Sequence, residues 1–104
     1  MKDIFGQQIK FQDLLGNNVC SQEFKNQMFL GLFEEVGEVM RETKVKAHRP
    51  NQVFDKTKFL NECADVQLYL FNLVLSATSF EEFQKIVEQK QKINFMRLQK
   101  WQLK

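Results

Sequence analysis

Apolar positions recur along this chain at spacings of three and four, and nowhere do they alternate over the length of a strand. Residues 4–15 (IFGQQIKFQDLL) predict a short first helix with a stripe of Ile4, Phe5, Ile9, Phe11, Leu14 and Leu15, closed by Gly16 as C-cap and by the turn Gly16-Asn17-Asn18. A second helix is expected from an N-cap at Ser21 to about Lys46. Phe24, Met28, Leu32, Val36 and Val39 hold a 3.6-residue period along it, and Phe29 and Phe33 widen the stripe. Gly31 and Gly37 interrupt that pattern at a cost of about 1 kcal/mol each against Ala, which suggests close helix approach or room beside neighbouring carboxylates. Pro50 ends helical continuation in the loop 47–55.

Asp55 then suits the N-cap of a third helix, Lys56 to Ala77. After Asp65 this helix is apolar nearly all round (VQLYLFNLVL), so it should be the most buried. Ser79 and Glu82 form a capping box that opens a fourth helix, Phe80 to Leu98 or beyond, with Phe80, Phe83, Val87, Ile93 and Met96 facing inward. The tail with Trp101 extends this helix or docks on a partner. The expected fold is all-α, an antiparallel four-helix-bundle-like domain spanning residues 1–104.

Composition changes this picture in one respect. The chain has 104 residues, of which 43% are hydrophobic and eleven are Phe. One copy of so short a chain makes a thin core, so a homo-oligomer that completes the core is expected. The net charge of +2 points to no nucleic-acid partner, although the stretch from Lys85 to Lys104 has six cations against Glu88 alone. Two cysteines without a CxxC pair, and a single His, make no zinc site. Residues 1–10 lack the apolar core of a signal peptide, and the apolar run 66–77 is too short to span a bilayer, so no membrane partner and a cytoplasmic location are expected.

The chemistry gathers on the second and third helices. Glu34, Glu35 and Glu38 fall within about 100° of arc on a helix, with Glu42 one turn on. Like charges so placed repel unless something cationic sits among them. Glu62 and Asp65 share a face at the head of the apolar third helix. Antiparallel packing lets Glu35 and Glu38 face Glu62 and Asp65, and four carboxylates form an all-oxygen site suited to Mg²⁺ or Mn²⁺. On the fourth helix Lys90, Asn94 and Arg97 line one face, with donors suited to phosphate and to a sugar or base edge. The plainer account of each group is solvated surface, and Glu42 then pairs most simply with Lys46.

Taken in order, these groups resemble the all-α nucleoside triphosphate pyrophosphohydrolases of the MazG-like superfamily. The signature EExxE…ExxD stands here as Glu34-Glu35-Val36-Gly37-Glu38 and Glu62-Cys63-Ala64-Asp65, followed by K-x-x-x-N-x-x-R at Lys90–Arg97. The resemblance covers about residues 21–100. It implies a Mg²⁺-dependent enzyme, with Mn²⁺ as substitute, that cleaves a nucleoside triphosphate to the monophosphate and pyrophosphate, in nucleotide-pool housecleaning. It also implies dimers or tetramers whose active sites are built partly from neighbouring chains. By position, Glu35, Glu38, Glu62 and Asp65 are the metal ligands. Glu34, Glu35 and Glu38 are the catalytic acids, Glu34 orienting or deprotonating the water, and Lys46, Lys90, Asn94 and Arg97 contact substrate. Where dCTP-cleaving relatives carry a base-stacking aromatic this chain has Val45, which leaves Phe11, Phe54, Tyr69 or Trp101 for that role; His48 and Arg49 are further candidates for phosphate or base contact. The histidine-pathway phosphoribosyl-ATP pyrophosphohydrolases share the chemistry. The alternative is a non-catalytic helical module for protein interaction or regulation. A di-iron bundle needs Glu-x-x-His motifs, which the chain lacks.

Overall fold

The computed structural model describes residues 1–43 and 53–102. Four helices follow one another, α1 (Lys2–Leu14), α2 (Gln22–Glu42), α3 (Lys56–Leu75) and α4 (Phe80–Gln102), and the described residues contain no strand. The helix ends are fixed by local chemistry. The Ser21 hydroxyl accepts from the Phe24 N–H at 3.0 Å, and the Asp55 carboxylate from the Lys58 N–H at 3.1 Å. Gly16 takes φ 74°, and the Gly16 and Asn17 amides return to the carbonyls of Asp13 and Gln12 at 3.0 and 3.1 Å, a Schellman closure of α1. At α4 one half of the capping box forms, the Glu82 N–H donating to the Ser79 hydroxyl at 3.3 Å. The Glu82 carboxylate instead accepts the Thr78 hydroxyl at 2.6 Å.

The largest interface joins α2 to α3. Gly31 lies against Tyr69, while Glu35, one turn later, meets Asp65 and Glu62; numbering rises on one helix as it falls on the other, so the pair is antiparallel. Gly31 is buried and has a packing reason: a Cβ there would overlap the Tyr69 ring, 2.7 Å from Cζ and 2.8 Å from Cδ1. Gly37 has open space around it among the described residues, so of the two glycines Gly31 is the one with an observed close approach. Gly31→Ala is therefore expected to lose about 1–2 kcal/mol, the overlap outweighing the better helix propensity of Ala. In a Tyr69→Ala background the sign should reverse, since only the propensity gain is left; urea unfolding of the four proteins in this cycle measures both effects.

Among the described residues the buried apolar side chains are Phe5, Phe24 and Phe71. Phe71 stands between Phe5 of α1, at 5.5 Å between ring centroids, and Phe80 of α4, at 6.5 Å, so one ring of α3 ties three helices together. α3 is thus the central helix, as its apolar sequence implies.

The outer helices depart from the expected stripes. α1 turns Phe5, Gln8 and Gln12 inward, and leaves Ile4, Ile9, Phe11, Leu14 and Leu15 exposed. On α2 Val36 leaves the inner face and joins Phe29, Phe33 and Met40 on an outer stripe at i, i+4, i+7 and i+11, all exposed. α4 packs mainly through Phe80 and Phe83, with Gln84 and Val87 lining a groove shared with Gln67 and Leu70 of α3; from Gln84 to Gln102 every residue is exposed, a length of about 28 Å. The radius of gyration is accordingly 17.5 Å, where a compact chain of this length has about 13 Å. The single chain is an all-α antiparallel pair, α2 and α3, flanked by a short helix and a projecting one.

Candidate metal centre

Glu35 occupies the inner face of α2, in line with Phe24, Met28, Gly31 and Leu32 and followed by Val39, all buried or half-buried. The packing that buries Gly31 against Tyr69 directs that stripe at α3, and the Glu35 side chain is half-buried there. Opposite it, Glu62 and Asp65 lie one turn apart, continuing the α3 face that carries Tyr69. Oxygens of Glu35, Glu62 and Asp65 all lie within 4.8 Å of one another. Glu35 and Glu62 are half-buried and Asp65 is exposed, so the cluster sits at the lip of the interface with one side open.

Burial raises the Glu35 carboxyl above its ordinary value, and the negative charges of Asp65, Glu62, Glu38 and Glu34 push it the same way. The sign for stability follows. Below the ordinary value of 4.5 Glu35 is protonated whether folded or unfolded, and imposes no penalty. As the pH rises from there through the raised folded value, the folded chain must ionise a half-buried acid among other acids, and stability is lost. Glu35→Gln should therefore melt about 2 °C higher than the parent at pH 7 in EDTA, with the difference vanishing towards pH 4. Thermal melts across that pH range measure it.

A hard divalent cation fits this donor set. All three groups offer carboxylate oxygens, and Mg–O bonds of about 2.1 Å place ligand oxygens at most about 4.2 Å apart, within side-chain rotation of the observed separations. Positive charge at that point would also relieve the repulsion that raises Glu35.

The remaining expected site residues are distributed as follows. Glu38 lies outside the cluster, its Oε2 ion-paired with Arg41 Nη1 at 3.0 Å. Glu34 is exposed on α2. Lys90, Asn94 and Arg97 are exposed on the free part of α4. Lys46 falls outside the described residues, as do Val45, His48 and Arg49. Among the aromatics weighed for base stacking, Phe54 packs on Phe59 at 5.4 Å and Trp101 is exposed near the end of α4. Phe11 and Tyr69 share a groove that opens beside Asp65.

Sequence reasoning missed Arg41, and it missed the amides of that groove, Gln8, Gln12, Asn17 and Asn72. The available signal for the last group was that Gln8 and Gln12 stand one turn apart, and one and two turns beyond the core residue Phe5. No known protein family, curated protein or solved structure matches the chain.

Proposed function

We propose that the chain is a divalent-metal-dependent nucleoside triphosphate pyrophosphohydrolase that acts on free nucleotides and assembles as a homo-oligomer, a dimer or tetramer. The convergence of Glu35, Glu62 and Asp65 across the α2–α3 interface carries this reading, because folding otherwise gains nothing from crowding three acids at one lip. Glu35, Glu62 and Asp65 would hold Mg²⁺ or Mn²⁺, joined by Glu38 if it turns from Arg41. The bound ion supplies neutralisation of phosphate charge and polarisation of the phosphoryl group.

The residues of the chain do the rest. Glu34, exposed one residue before Glu35, takes the proton of the attacking water. The water oxygen bonds to the α-phosphorus as the bond to the bridging oxygen breaks, which releases pyrophosphate. Lys90 and Arg97 balance the charge that develops on the leaving group, and Asn94 holds a sugar or base edge. All three are exposed on α4, and in this reading they serve a site shared with a second copy. The exposed stripe Phe29, Phe33, Val36 and Met40 supports the same assembly.

The test is a panel of ribo- and deoxyribonucleoside triphosphates, with Mg²⁺ or Mn²⁺, read by pyrophosphate release. Release from at least one nucleotide is expected; none from any would end the proposal. The exposed apolar residues of α4, Phe95, Met96 and Trp101, favour the second reading, a non-catalytic interaction module. Titration calorimetry separates the two, since carboxylate-dependent binding of Mg²⁺ or Mn²⁺ is incompatible with it.

A further inference from the structure

The groove that opens beside Asp65 has a volume of about 430 Å³ and lies between α1, α2 and α3. Two of the amides in its wall are buried as surface amides are not: Gln12 is 3% exposed and Asn72 6%. Each commits its carbonyl oxygen to a neighbour. Asn17 Nδ2 donates to Gln12 Oε1 at 2.7 Å, and Gln8 Nε2 donates to Asn72 Oδ1 at 2.9 Å. Each therefore keeps an NH₂ group that has no protein acceptor among the described residues. Both nitrogens keep some contact with solvent, so each can exchange a water for an acceptor on a ligand.

The rest of the lining narrows the ligand. No Lys or Arg lines the groove, so it is not a phosphate subsite. Phe11 and Tyr69 offer ring surface to a planar group. Two NH₂ donors ask for two acceptors, and the unused oxygens of Gln8 and Asn17 accept a donor in return. Two acceptors and one donor along one edge describe the pairing edge of uracil or cytosine. Adenine presents one of each there, and guanine one acceptor with two donors.

We propose that this groove is the base pocket of the site described above and is built for a pyrimidine. This rests on the pyrophosphohydrolase reading for the direction of the substrate: with the base among the amides, the triphosphate runs towards Asp65. The α1 helix, with its polar inner face, is then a specificity element whose inward glutamines serve the ligand rather than the core.

The experiment separates base recognition from catalysis by using nucleosides without phosphates, in EDTA. Deoxyuridine, deoxycytidine, deoxyadenosine and deoxyguanosine are titrated to millimolar concentration into ¹⁵N-labelled protein, and the side-chain NH₂ signals of Gln12 and Asn72 are followed. Saturating shifts are expected with deoxyuridine or deoxycytidine and at least tenfold weaker binding with both purines. Gln12→Glu keeps the oxygen that Asn17 needs and replaces the free donor by an acceptor; it should weaken pyrimidine binding about tenfold or more with helicity unchanged. Asn72→Asp does the same on α3, and if either variant fails to fold the parent panel still decides. Equal or tighter purine binding, or no shift with any nucleoside, overturns the proposal. Pyrimidine binding without hydrolysis of any triphosphate would retain the pocket and remove the enzyme; hydrolysis without pyrimidine-dependent shifts would do the reverse.

Discussion

Glu35→Gln is expected to lower pyrophosphate release on the order of 10³-fold, about 4 kcal/mol of transition-state stabilisation, while helix content stays unchanged. The substitution preserves shape and removes the negative charge that α2 contributes to the three-acid cluster. Glu62→Gln and Asp65→Asn should behave alike, because the three oxygens lie within 4.8 Å of one another and each loss leaves two ligands. Glu38→Gln is the informative contrast. Its carboxylate is paired with Arg41 at 3.0 Å, so a loss of only about 10–100-fold marks it as a supporting group. A loss equal to that of Glu35 means that Arg41 releases it when substrate and metal bind. Full activity in Glu35→Gln would remove the cluster from the chemistry altogether. The stability readout moves in the opposite direction, since the same variant melts higher in EDTA and should lose the stabilisation that Mg²⁺ or Mn²⁺ gives the parent. A residue important only to folding would lower both activity and stability.

The parts of the fold that were legible in the sequence are those governed by short-range chemistry. Ser21, Asp55 and Gly16 fix helix ends through bonds made within a few residues, so residue type is enough. The facing of Glu35 with Glu62 and Asp65 was legible because helix period and a short connection together set register. The inner face of α1 was not. Hydrophobicity chose Ile4, Ile9, Phe11, Leu14 and Leu15, whereas the chain turns Gln8 and Gln12 inward, where Gln8 bonds Asn72 of α3 and Gln12 bonds Asn17 of the turn after α1. The end of α4 was misjudged for a related reason. Val87, Ile93 and Met96 keep an apolar period, but periodicity states which face is apolar and not whether anything in the same chain covers it. At Glu38 spacing left out a neighbour: the arginine three positions on pairs with its carboxylate at 3.0 Å.

Two phenylalanines separate what one chain supplies from what assembly adds. Phe71 is 3% exposed and touches the rings of Phe5 and Phe80, so Phe71→Ala opens a cavity where three helices meet. Such a truncation costs about 3–5 kcal/mol, a large share of the stability available to a domain whose described residues include three buried apolar side chains. Urea unfolding should lose its cooperative transition or show it at far lower denaturant. Phe33 is 75% exposed, and within one chain Phe33→Ala should change stability by no more than about 0.5 kcal/mol. If a second copy covers the stripe of Phe29, Phe33, Val36 and Met40, the same substitution weakens association by about 2 kcal/mol or more, and sedimentation at several concentrations reads that directly. An effect confined to association would mean that the apolar residues left outside by α2 are the core of an assembly. Parent and variant both sedimenting as monomers would leave Lys90, Asn94 and Arg97 without a second copy to serve, and would turn the projecting α4 towards the interaction-module reading.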